Sequence, residues 1–231
     1  MAQKKLERFA AIKKFSNVLE YPAAMKGKWN NFFKNQNSLI LELACGRGEY
    51  TIGMAKLFPQ QNFLGVDVKG NRMFIGAKKS LTENITNAGF LRTQIEKLTE
   101  YFAEAEVDEI WITFPDPQLR ISKAKKRLTH PRFLRLYQQI LKPGGFIHLK
   151  TDSPDLYQFT KKVAELYDII IVEDSNNVYS ETFVKEELKI KTHYESLDIA
   201  QSKKIHYLKF TLPTVIKNID DQLQEILKDE E

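Results

Sequence analysis

The segment Ser38–Leu57, SLILELACGRGEYTIGMAKL, decides the architecture. Ser38 to Ala44 is an apolar run interrupted only by Glu42, with the length and composition of a buried parallel strand. Cys45, Gly46, Arg47 and Gly48 follow at once, and Glu49, Ile52, Met54, Ala55 and Leu57 continue as a helix. Strand, glycine turn and helix form the first unit of an open α/β sheet. The glycines let a ligand approach the backbone, and the first amides of the helix face it. A dehydrogenase-type G-x-G-x-x-G would need glycine where Thr51 stands, which disfavours a nicotinamide cofactor.

Working outward, the alternation of strand and helix continues. A second strand, Asn62–Val66, ends in Asp67, 19 residues beyond Gly48. A carboxylate at that distance can accept hydrogen bonds from both hydroxyls of a ribose, and its local alternative is a helix cap. Met73, Ala77, Leu81 and Ile85 share one face of the next helix, and Phe90–Thr93 reads as strand three. In this architecture the loop after strand three passes a nucleoside's base, which makes Gln94 a candidate contact. Strand four is Asp108–Thr113, a helix spans His130–Leu141, and Lys142–Gly145 closes it as a turn. Strand five is Phe146–Lys150, and Ile169–Val172 and Ile205–Leu212 suggest an antiparallel pair at one sheet edge. The expected fold is a mostly parallel seven-stranded α/β sheet with helices on both faces and an antiparallel edge strand.

The connection from Phe114 to about Thr129 is far longer than the roughly 2–6 residues usual between a strand and a helix. It opens on Phe114, Pro115, Asp116 and Pro117, where two prolines restrict the carboxylate, at the sheet edge on which α/β proteins bind ligands. No Asp or Glu follows Asp116 before Arg135, while Arg120, Lys123, Lys125, Lys126, Arg127 and Arg132 do. Lys123, Lys125, Lys126, Arg127 and Arg132 are candidate phosphate contacts. Asp152, just past strand five, is placed equally well to cap the next helix and to touch a substrate.

At 231 residues and 42% hydrophobic content the chain can bury one core, and a formal charge of +5 leaves the distribution of charge as the informative quantity. Lys4, Lys5, Arg8, Lys13 and Lys14 crowd the start, and Asp220, Asp221, Glu225, Asp229, Glu230 and Glu231 close the chain. The expected organisation is a basic N-terminal arm over residues 1–34, the catalytic domain over 35–212, and an acidic amphipathic helix over 213–231. Leu6 to Leu19 reads as an amphipathic helix lying on the domain or on RNA. A single cysteine, Cys45, excludes an intrachain disulfide, and the sequence has no metal-ligand pattern. The N-terminal residues carry no signal-like apolar stretch, and no apolar run reaches the roughly 18 residues that span a bilayer. The expectation is a cytoplasmic protein without a membrane partner, monomeric or homodimeric.

Glu42, Ala44, Gly46 and Gly48 overlay the E-x-G-x-G-x-G loop of S-adenosylmethionine-dependent methyltransferases. FPDP at Phe114–Pro117, KKRLTHPRFL at Lys125–Leu134, LKPGG at Leu141–Gly145, LKTD at Leu149–Asp152 and THYE at Thr192–Glu195 are more specific. Through them the chain, over roughly Asn17–Phe210, resembles the tRNA (guanine-N7-)-methyltransferase family. The resemblance implies a Rossmann-like fold, S-adenosyl-L-methionine as cofactor, tRNA as partner and methylation of a guanine in the variable loop. It places Glu42, Gly46, Gly48, Asp67, Gln94 and Asp116 at the cofactor, with Asp116 also the catalytic carboxylate. It places Arg120, Asp152, Thr192, His193, Tyr194 and Glu195 at the tRNA. Gln118 replaces the family's usual Trp, Gln94 its acid and Arg120 its Lys. The alternatives are another RNA base methyltransferase, whose Pro-Pro-aromatic loop FPDPQ does not match, and a non-catalytic RNA-binding module on the same fold.

Overall fold

The computed structural model describes residues 2–197, 201 and 203–229, so Glu230 and Glu231 of the acidic end lie outside the described residues. In chain order the elements are α1 (Ala2–Ile12), β1 (Val18–Glu20), α2 (Trp29–Phe33), β2 (Leu39–Leu43), α3 (Glu49–Leu57), β3 (Asn62–Asp67), α4 (Gly70–Thr82) and β4 (Ala88–Arg92). They continue with α5 (Leu98–Tyr101), β5 (Val107–Thr113), α6 (Pro131–Ile140), β6 (Leu141–Thr151), α7 (Pro154–Leu166), β7 (Ile170–Ser175), α8 (Glu186–Lys189), β8 (His206–Thr211) and α9 (Asp220–Lys228).

All eight strands form one sheet in the order β1-β4-β3-β2-β5-β6-β8-β7. Every pairing is parallel except those of β8, which runs antiparallel to β6 and β7 and forms with β7 the expected pair at one end. β2 is buried along its whole length between β3 and β5. Its side chains alternate between the two faces. Leu41 and Leu43 join Leu64, Ile110, Phe133 and Leu149 on one side. Ile40 joins Phe63, Phe90, Trp111 and Met54 on the other. Helices cover both faces, and the carboxyl ends of β2, β3, β5 and β6 open on one edge.

Two expectations are corrected. The sheet has eight strands, because Val18–Glu20 pairs in parallel with Phe90–Arg92 instead of continuing the N-terminal helix. That helix ends at Ile12; Asn17 then donates to the Ala77 carbonyl at 3.0 Å and Val18 is buried, which fixes an extended exit. Lys142–Gly145 is not a turn outside the sheet: Leu141 already pairs with Val107, and regular pairing resumes at Phe146 against Glu109. The C-terminal helix packs on its own domain through Leu223 and Leu227. Asp220 at its start takes an ion pair from Arg135 at 2.6 Å and the Tyr167 hydroxyl at 2.8 Å. Trp29 and Phe33 are core. Among the described residues no helix is long and apolar enough to cross a membrane.

Candidate active site

The turn after β2 is built from left-handed residues: Ala44 at φ +58°, Gly46 at +55° and Gly48 at +71°. Ala44 occupies the place where the resembling loop carries its first glycine, and its φ shows why glycine is favoured there. The Gly46 N–H donates to Asp67 Oδ2 at 2.9 Å, and the Lys69 N–H donates to Oδ1 at 2.8 Å. Each carboxylate oxygen thus retains acceptor capacity toward the space in front of it. That space is a cleft of about 800 Å³. Gly46, Asp67, Gln94, Asp116, Asp152 and Tyr194, all singled out from sequence, line it together.

Glu42 and Gly48, expected at the cofactor, are not among the lining residues. Glu42 is buried beneath the turn, where it accepts from the Thr51 N–H at 2.8 Å, the Thr51 hydroxyl and the Thr113 hydroxyl at 2.7 Å. Burial pushes its carboxyl up to about 7, against those hydrogen bonds, with the Asp67 charge adding to the rise. It ties α3 to β2 and β5. Gly48 faces inward, where an added Cβ would stand 2.4 Å from the Phe90 ring. It allows α3 to pack closely on the sheet.

The loop after β5 begins at Phe114, φ +47°, whose N–H donates to the Lys150 carbonyl at 2.8 Å. Pro115 is buried and Asp116 is exposed at the cleft, its Oδ1 accepting the Gln118 N–H at 3.0 Å. Arg127 corrects a phosphate assignment. Its guanidinium is buried, donates to the Gln118 and Leu119 carbonyls at 3.2 Å, and lies 4.4 Å over the Phe159 ring. It braces the Asp116 loop from inside. Lys123, Lys125 and Lys126 stay exposed, and Lys126 reaches the cleft rim. Arg132 pairs with Glu96 at 3.3 Å, and Arg120 is exposed outside the cleft lining.

Asp152 does not cap α7; Ser153 does, its Oγ accepting the Leu156 N–H at 3.2 Å, and Asp152 lines the cleft. Thr192 and His193 are not among the lining residues: Thr192 Oγ1 accepts the Glu195 N–H at 3.2 Å, and the His193 N–H donates to Glu49 Oε2 at 2.8 Å, which holds Tyr194 on the opposite wall. The Tyr194 ring lies against Gly46, within 3.4 Å of where a Cβ would be, under the Arg72 guanidinium at 5.5 Å. Glu195 is turned inward, to Lys150 at 3.0 Å. Sequence reasoning missed Arg72, and it met Lys150 only as the end of strand five and as part of the LKTD motif. The signal available for Lys150 was a lysine closing a strand of buried residues.

A carboxylate presenting acceptors beside a glycine turn suits a nucleoside, a base-sized amide at Gln94 lies in the same cleft, and the exposed Asp116 faces the remaining volume. A family model described as "Putative methyltransferase" matches residues 36–208. The tRNA (guanine-N(7)-)-methyltransferase of Porphyromonas gingivalis is 48% identical over 86% of this chain and 85% of its own. That of Bacteroides thetaiotaomicron is 44% identical over 92% and 87%. Among solved structures, the 16S rRNA methyltransferase KamB superposes with a TM-score of 0.63 over 85% of this chain and 99% of its own. Its 14% identity speaks for the fold alone. The chain belongs to the tRNA (guanine-N(7)-)-methyltransferase family.

Proposed function

We propose that the protein transfers a methyl group from S-adenosyl-L-methionine to N7 of a guanine in the variable loop of tRNA, in the cytoplasm. The observation that carries this reading is the meeting of Gly46, Asp67, Gln94 and Asp116 in one cleft at the carboxyl edge of the sheet. Residues from four separate loops converge there, in a chain of this family. Bound in that cleft, the cofactor supplies an electrophilic methyl group on a sulfonium.

The protein's own residues then have separable tasks. Asp67 accepts the ribose hydroxyls with the lone pairs that Gly46 and Lys69 leave free. Gln94 hydrogen-bonds the adenine through its amide, without charge. Guanine N7 has an in-plane lone pair and no proton at neutral pH, so no base is needed to expose it. Positioning therefore dominates, an effect that reaches roughly 7–11 kcal/mol in the best-oriented intramolecular systems. Asp116, on a loop fixed by Phe114, Gln118 and Arg127, offers a carboxylate to the positive charge that grows on the purine or to guanine's N1–H and amino group. Asp152 and Tyr194 bound the space for the guanine, and Arg120, Lys123, Lys125 and Lys126 face the polyanion around it.

The test is methyl transfer from labelled cofactor to unmodified tRNA, followed by mild reduction and aniline, which cleaves at N7-methylguanine. Cleavage in the variable loop is the expected result. Label without cleavage would move the modification to another atom, and no label despite cofactor binding would make the protein an RNA-binding module.

A further inference from the structure

Lys150 closes β6 at the catalytic edge with a side chain that has no solvent exposure. Its two polar ends hold opposite walls of the cleft. The carbonyl accepts the Phe114 N–H at 2.8 Å, where the Asp116 loop begins. The ammonium donates to the Ile190 carbonyl at 2.9 Å and to Glu195 Oε2 at 3.0 Å, on either side of Thr192–Tyr194. Phe114, Tyr50 and Tyr179 surround it with ring centroids at 5.5, 5.7 and 5.9 Å. Glu195 is also buried, and its second oxygen accepts the Tyr179 hydroxyl. Both of its oxygens are thereby engaged by the protein's own groups.

We propose that Lys150 is a positioning residue that couples the Asp116 loop to the Tyr194 wall, and that Glu195 acts as its counter-ion rather than as a group touching tRNA. The inference rests on the cleft being the site of methyl transfer. Its physical basis is the asymmetry of buried ion pairs: losing one partner strands a charge in a poorly polarisable interior, whereas neutralising both leaves two groups that can still pack. Burial lowers the lysine's pKa and Glu195 opposes that fall, as expected of a pair held together by mutual need. With the ammonium gone and the carboxylate still charged, Glu195 keeps only the Tyr179 hydroxyl and turns toward water, drawing the Tyr194 ring off its seat on Gly46.

The full chain carrying Lys150→Met, Glu195→Gln or both tests this by hydrogen exchange over residues 190–197 and by steady-state kinetics. Lys150→Met is expected to lose protection across that segment and at least roughly tenfold in kcat, with KM for tRNA within about twofold, because no phosphate-binding group is altered. The double variant is expected to regain protection and most of the lost kcat. A double variant that regains protection while remaining as slow as Lys150→Met would overturn the proposal and assign Glu195 to the RNA. If Lys150→Met does not fold, Glu195→Gln decides alone: protection and kcat falling together support the coupling, and kcat lost with protection intact refutes it. Hydrogen exchange reads the coupling whether or not tRNA is the substrate, so failure of this inference and failure of the proposed function remain distinguishable.

Discussion

The Gly46 N–H donates to Asp67 Oδ2 at 2.9 Å, joining the turn after β2 to the end of β3 across 21 residues of chain. With Lys69 N–H on the other oxygen, Asp67 is held in one orientation before any ligand arrives. Asp67→Asn keeps the shape but places an NH₂ where one of these N–H groups needs an acceptor, and it removes an acceptor from the ribose. The expected outcome is a rise of at least roughly tenfold in the Kd of S-adenosylhomocysteine, corresponding to about 1.5–3 kcal/mol. Calorimetric titration showing an unchanged Kd would remove Asp67 from the cofactor site.

Gly46 and Gly48 share the left-handed conformation but differ in what an added methyl would meet. At Gly48 the Cβ would lie 2.4 Å from Phe90, so Gly48→Ala combines backbone strain with overpacking and is expected to cost roughly 2–5 kcal/mol of stability. At Gly46 the nearest side chain is Tyr194 at 3.4 Å, which leaves mainly the conformational cost of about 1–2 kcal/mol together with a partly filled cleft. Denaturant titration of the two variants should separate them. Equal losses would place Gly48 outside the packing role.

Among the described residues Asp116 accepts one hydrogen bond, from the Gln118 N–H, and it is exposed. Asp116→Asn should therefore leave the melting temperature and tRNA affinity essentially intact while lowering kcat by roughly 10²–10³, the scale seen when one preorganised electrostatic group is removed. Full turnover in this variant would refute its assignment as the catalytic carboxylate.

The basic loop contains two kinds of cation. Replacing exposed Lys123, Lys125 and Lys126 by Glu should weaken tRNA binding and lower the slope of log K against log salt by up to about 2–3, since each phosphate contact contributes roughly 0.7–0.9. Arg127→Met should leave that slope unchanged and lower the melting temperature, because its guanidinium is committed to two carbonyls and to Phe159. A reduced slope for Arg127→Met would return it to phosphate duty.

The strand, turn and helix pattern around Gly46 was legible because a short apolar run, a glycine turn and a 3.6-residue period are local properties of sequence, and the sheet followed from the alternation of strand and helix. Asp67, Gln94 and Asp116 were legible for a topological reason: residues just past parallel strands share one edge. What escaped depended on tertiary neighbours. Val18–Glu20 is too short to show alternation and is a strand because Phe90–Arg92 offers it a partner. Arg127 and Lys125 look alike in sequence, and only the position of Phe159 and the Gln118 carbonyl separates a brace from a surface cation. Glu42 matched a ligand-binding pattern, yet Thr51 and Thr113 enclose it.

Glu42 also sets a pH dependence whose sign can be worked out. Its carboxyl lies at about 7 in the fold against an ordinary value of 4.5, with burial the main cause. The folded protein therefore holds a proton that the unfolded chain releases between pH 4.5 and about 7. The stability this group contributes is fully present below pH 4.5 and is lost as pH rises through about 7. The upper bound is about 3 kcal/mol over that window. Glu42→Gln imitates the protonated acid: its carbonyl can accept from Thr51, and its NH₂ can donate to the Thr113 hydroxyl. Urea unfolding at pH 5 and pH 8 should show a smaller stability difference for the variant than for the wild type, with the variant gaining most at pH 8. Parallel pH profiles for the two proteins would mean that Glu42 is ionised in the fold, and that the three hydrogen bonds from Thr51 and Thr113 outweigh its burial.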